Sequence, residues 1–114
     1  MRALADGEHL IAEGFGNRFY VTNNGAGGVI LFHECERGKP AQIMATSVHR
    51  SRNSERYVVL QKIYKAHFFH RMVEYLILRN EVVGDFDKEW CATNNAREWA
   101  THLGKNALIG LSLF

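Results

Sequence analysis

Arg18-Phe19-Tyr20-Val21-Thr22-Asn23-Asn24-Gly25-Ala26-Gly27-Gly28-Val29-Ile30-Leu31-Phe32-His33 reads as a complete β-hairpin. Its first five residues are aromatic or β-branched apart from Arg18, the composition that suits a pleated, half-buried surface. Asn and Gly tolerate positive φ, so Asn23 to Gly28 reads as the turn. A glycine-rich loop can also cradle phosphate, but that needs a helix N-terminus or a P-loop lysine after it, and here a strand follows. The return strand, Val29 to His33, is apolar on both faces, so cover is expected on both sides.

Working outward, His9 to Gly14 reads as a short first strand or a lead-in to the hairpin. Glu36-Arg37-Gly38-Lys39-Pro40 is the next turn. Gln42 to Val48 follows as a strand, with Ile43, Ala45 and Ser47 on one face and Met44, Thr46 and Val48 on the other. Tyr57 to Tyr64 suits either period, and a strand is preferred because a single helix across Ser54–Val83 would far exceed the usual length. From Ala66 the period changes to that of a helix. Phe68, Phe69, Met72, Val73 and Leu76 form its apolar face, and His67, His70, Arg71 and Glu74 form its polar face.

Gly84-Asp85-Phe86-Asp87 ends that helix, and Asp85 or Asp87 can cap a short turn through Cys91. A second helix is expected after Asn94 or Asn95, where Asn95 and Glu98 have the spacing of a capping box. Gly104 stands where a helix C-terminus would place glycine. The tail alternates Ile109, Leu111 and Leu113, which suits a final edge strand. The expected fold is therefore α+β: an N-terminal antiparallel meander of about four or five strands with two C-terminal helices on one face. The 114 residues fit one domain, with no repeat or low-complexity linker dividing them.

Composition excludes several classes. A hydrophobic fraction of 46% and a charged fraction of 23% are ordinary for a globular domain and argue against disorder. No apolar run approaches the ~20 residues of a membrane helix, and Asp6, Glu8, His9 and Glu13 break any secretory h-region. Two cysteines, Cys35 and Cys91, do not make a disulfide framework. A soluble, cytoplasmic protein with reduced thiols is expected.

The net charge of +2 is too small to indicate a polyanion binder, but its distribution is uneven. His49-Arg50-Ser51-Arg52-Asn53-Ser54-Glu55-Arg56 forms a basic connection between two predicted strands. Guanidinium forks beside small hydroxyl and amide donors match phosphate oxygens. Tyr57 and Lys62 would extend that surface, since aromatics stack on unpaired bases. The candidate contact residues are thus His49, Arg50, Arg52, Arg56, Tyr57 and Lys62, with nucleic acid or another macromolecule as partner. The competing reading is a solvated polar loop tied back by Glu55.

Other constellations carry less. His67 and His70 share a helix face and could hold a metal with His33 or Cys35 as third ligand. No CxxC or HExxH spacing supports this, so no metal and no cofactor is expected. His33, Cys35 and Arg37 share a strand face, but a thiol and imidazole two residues apart lie at the limit of proton-transfer reach. No catalytic residue is assigned, and the balance leans away from an enzyme. Trp90, Trp99 and Tyr75 are candidates for a pocket or an interface. The apolar end of the first helix and the Leu/Phe tail would be covered by a C2 homodimer. The alternatives to a polyanion-binding module are a protein-interaction or inhibitor protein with an apolar surface, and a small-molecule pocket protein.

Overall fold

The structure of the protein, a computed structural model, describes residues 1–23, 28–36, 38–50, 57–63, 70–73, 75–76 and 96–113, with backbone alone at 47–50, 57–63, 96 and 99. Five antiparallel strands form one meander in chain order: β1 (His9–Gly14), β2 (Asn17–Asn23), β3 (Val29–Cys35), β4 (Ala41–Arg50) and β5 (Tyr57–Ile63). Residues 70–73 and 75–76 are helical, and the C-terminal helix runs Ala96–Leu111. This helix packs across β1, β2, β3 and β4. The α+β meander expected from the sequence is the fold observed, with Tyr57–Ile63 as a strand.

The core lies between sheet and helix. Phe19 and Val21 of β2, Val29 and Leu31 of β3, and Ala41, Ile43 and Met44 of β4 meet Ala100, Leu103 and Ala107 of the helix, with Val73 beside them. Two bulges adjust the sheet. Pairing shifts between Leu31↔Met44 and Phe32↔Gln42, so Ile43 has no partner on β3. Ile43 and Met44 are consequently both fully buried, which corrects the strict alternation expected for this strand. The second bulge frees Ile11 of β1, whose side chain packs on the core.

The helical elements depart from expectation in two places. The segment around residue 70 was expected to bury Met72 and expose His70; instead His70 is 2% exposed and Met72 41%. The buried stripe is His70, Val73 and Leu76, rotated by a residue because two hydrogen bonds make burial of the imidazole tolerable. The tail is not an edge strand: the helix continues to Leu111 and ends in a turn. Its buried positions Ala100, Leu103, Gly104 and Ala107 and the partly buried Leu108 keep helical spacing, leaving Ile109 and Leu113 exposed. Gly104 is mid-helix rather than terminal, at a close approach to the sheet where a Cβ would stand 3.1 Å from Ile11 Cγ2.

β1 and β2 are joined by Phe15-Gly16 alone, both with positive φ (54° and 74°), the geometry of a type I′ turn. Phenylalanine is ill suited to it, and the ring is 75% exposed, so little burial offsets the strain. Phe15→Asn is expected to stabilise the fold by about 0.5–1 kcal/mol, read as a raised urea midpoint. An unchanged or lowered midpoint would mean that the ring makes a contact worth its strain.

Candidate functional site

The β4–β5 hairpin is longer than the sheet it belongs to. β3 pairs with β4 only as far as Ile30↔Ala45. At the next position the buried Thr46 hydroxyl accepts from the Val29 N–H at 3.1 Å and lies 3.4 Å from the Val29 carbonyl, closing that side of the ladder. Beyond it, Ser47↔Leu60, Val48↔Val59, His49↔Val58 and Arg50↔Tyr57 continue, among the described residues, as a two-stranded arm. Four residue pairs at roughly 3.3 Å per residue give an arm about 13 Å long.

The sequence-derived contact residues map onto this arm as follows. His49 and Arg50 belong to β4 rather than to the connection, because cross-strand pairing with Val58 and Tyr57 carries the strand two residues past Val48. Tyr57 opens β5 opposite Arg50, and Lys62 stands further down the same strand opposite Ala45. Arg52 and Arg56 lie outside the described residues, within the six that join the strands. The structure thus brings His49, Arg50 and Tyr57 to one end of the arm and sets Lys62 at its base. Of the other candidates, Tyr75 is 52% exposed, Trp99 lies in the C-terminal helix and Trp90 lies outside the described residues.

The opposite end of the sheet carries a buried histidine pair. His33 Nδ1 and His70 Nδ1 are 2.6 Å apart, with the rings edge to face. The ring of His33 also stacks on Phe19 at 4.9 Å. His33 Nε2 contacts Asn17 Oδ1 at 2.8 Å, and His70 Nε2 contacts the Lys39 carbonyl at 3.1 Å. Asn17 in turn donates from Nδ2 to the Phe15 carbonyl at 2.9 Å. Burial, and secondly the charge on His70, push His33 down to about 3. The sequence placed these histidines on separate elements as possible co-ligands. The structure makes them direct hydrogen-bond partners, and among the described residues no cluster of three metal-ligating side chains is present. Cys35 is a half-buried free thiol. His67 and Arg37 lie outside the described residues.

Reasoning from sequence missed the polar face of the sheet. Arg18 and Glu34 are buried there as an ion pair through Nη2 and Oε1. Arg2 reaches Glu34 Oε2 at 3.2 Å, Glu8 at 2.6 Å and the Tyr20 hydroxyl at 2.8 Å. Its guanidinium, like that of Arg18, lies over the Tyr20 ring, which stacks on Phe32. The hydrogen bond from Arg2 holds Glu8 down to about 2. Burial raises the Tyr20 hydroxyl above its usual range. Two cations and two anions balance, so this cluster covers the second face of β3 with no net charge, Arg2 being its exposed member. The alternating Arg18/Tyr20 and Phe32/Glu34 positions were the available signal.

A recess of about 430 Å³ opens beside the C-terminal helix, lined by Arg97, Glu98, Thr101, His102 and Lys105. Four of these side chains are exposed, and it is not the aromatic pocket between sheet and helices that a small-molecule binder would need. Among the described residues, none of the helices is long and apolar enough to cross a membrane. Compared with protein families, with curated proteins and with solved structures, the chain finds no match.

Proposed function

We propose that this protein is a small non-enzymatic binding module that contacts nucleic acid through its β4–β5 arm. The observation that carries the reading is the two-stranded extension Ser47–Arg50/Tyr57–Leu60, which outruns the rest of the sheet and leads into the densest basic stretch of the chain. A two-stranded ribbon is one of the two elements that a duplex major groove admits. Arg50, Arg52 and Arg56 supply phosphate contacts, His49 and Lys62 extend them, and Tyr57 offers a stacking face. The buried histidines are closed to substrate, which favours binding over catalysis. A cytoplasmic setting suits a free thiol.

The test is fluorescence anisotropy with labelled single-stranded and duplex oligonucleotides at low salt. Wild type is expected to bind, and the Arg50→Ala/Arg52→Ala/Arg56→Ala variant to lose at least tenfold in affinity with an unchanged urea midpoint. Equal binding by both proteins would remove the arm from the interface.

A second reading, docking to protein or to another copy of the chain, is supported by the exposed Tyr75, Ile109 and Leu113. They flank the contact between Leu76 and Gly110, so they lie near one another. Sizing chromatography separates the two: concentration-dependent dimerisation abolished by Ile109→Ser/Leu113→Ser favours this surface.

A further inference from the structure

The residues that precede β1 form no strand or helix, yet their chain is closed on itself. The Glu8 N–H donates to the Ala5 carbonyl at 3.1 Å, and the Ala5 N–H donates to Glu8 Oε1 at 2.8 Å. Gly7, with φ 85°, supplies the left-handed step of this turn. Arg2 then folds back over the loop. Its Nη1 donates to Glu8 Oε1 at 2.6 Å and to the Ala3 carbonyl at 3.3 Å. Its Nη2 donates to Glu8 Oε2 at 3.0 Å and to the Tyr20 hydroxyl at 2.8 Å, and its Nε faces Glu34 Oε2 at 3.2 Å. A guanidinium carries five N–H groups, and these contacts occupy all of them.

The fork therefore joins three elements: the loop through Glu8, β2 through Tyr20 and β3 through Glu34. It also lies over the Tyr20 ring, 5.5 Å from its centroid. Tyr20 is buried while the Arg2 side chain is exposed, so Arg2 forms an outer layer on that ring. Little else fastens the segment. Among the described residues, the apolar core and the side chains packed on it include none of residues 1–8. Met1, Ala3, Ala5, Asp6 and Gly7 are exposed. A segment with so few buried apolar contacts opens more easily than the sheet beneath it.

We propose that residues 1–8 are a releasable strap across the Tyr20 side of the sheet, with Arg2 as its clasp. The fork holds the segment shut, and its release bares the stacked Tyr20–Phe32 pair while the sheet stays folded. The clasp depends on the shape of the guanidinium and not on its charge alone. A lysine keeps the cation but concentrates its donors at one point, so it cannot hold Glu8, Tyr20 and Glu34 together. The surface uncovered is an aromatic pair beside the Arg18 guanidinium, which lies 5.9 Å from the Tyr20 centroid. Leu10, the β1 partner of Tyr20, is already exposed next to it. Opening thus turns a capped face of no net charge into an aromatic contact surface. The strap does not depend on the binding role proposed for the arm.

The experiment is amide hydrogen exchange of the full chain by NMR, for wild type and Arg2→Lys, with a soluble gadolinium chelate added separately to broaden exposed protons. In wild type the Ala5 and Glu8 amides are expected to exchange more slowly than in an unstructured chain, but faster than the β2–β3 ladder amides. Arg2→Lys should speed those two amides by about tenfold or more and leave the ladder amides unchanged. In that variant the chelate should broaden the Tyr20 ring protons and spare those of Phe19, which lies in the core. Ala5 and Glu8 amides unprotected in wild type, or equally protected in Arg2→Lys, would overturn the clasp. Ladder amides that lose protection with the strap, a variant that fails to fold, or a Tyr20 ring that stays shielded would overturn the separate release.

Discussion

Glu34→Ala is expected to cost about 3–5 kcal/mol, among the largest effects of any single substitution in the described sheet. Glu34 and Arg18 side chains are only 5% and 7% exposed, and the buried Nε of Arg18 has no hydrogen-bond partner among the described residues, so Glu34 is its only close counter-charge there apart from the network with Arg2. Removing the carboxylate leaves a guanidinium in a dry site against the Tyr20 ring, where its hydration cannot be restored. The same logic makes the pair itself weakly stabilising, because each charge pays its own desolvation. Arg18→Met/Glu34→Leu should therefore recover most of the loss, and Arg2 would keep Glu8 and Tyr20 as partners. Urea denaturation of the two variants checks this. A single variant within 1 kcal/mol of wild type, or a double variant no better than the single, would mean that water reaches Arg18.

Gly104→Leu is the second large effect, expected at about 3 kcal/mol, the upper end for overpacking. A Cβ at Gly104 would already stand 3.1 Å from Ile11 Cγ2 and 3.4 Å from Phe19 Cβ. Phe19 is fully buried and has no free volume to move into, and the partly buried Ile11, the bulged residue of β1, packs on the same core. Gly104→Ala should fall near zero. Its helix-propensity gain of up to about 1 kcal/mol meets a contact a few tenths of an ångström too tight. Thermal melts of the two variants separate these outcomes. If Leu is tolerated as well as Ala, the helix does not sit on β1 and β2 at this distance.

That glycine also explains what the sequence could and could not convey. The hairpin Asn17–Cys35 was legible because β-rich runs flank an Asn/Gly turn, and its apolar faces implied the cover found on both sides. The last helix was misread at its end. Its buried stripe includes Ala100, Gly104 and Ala107, small residues that add nothing to an apolar pattern, whereas the solvent-facing Ile109 and Leu113 mimic strand alternation. The bulge at Ile43 was invisible because one extra residue changes the phase of a strand and leaves its composition unchanged. His33 and His70 are 37 residues apart, and their meeting depends on how one helical turn is rotated against the sheet. The basic octet was legible as a charge cluster, but the arm that carries it emerges only from where β3–β4 pairing stops.

The most direct test of the binding role is the salt dependence of duplex affinity, measured for wild type and the triple arginine variant. Contacts from Arg50, Arg52, Arg56 and Lys62 predict a log–log slope of roughly −3 to −4, falling in magnitude by about 2 to 3 in the variant. A salt-insensitive slope, a slope unchanged by the three substitutions, or no binding at low salt would contradict the account.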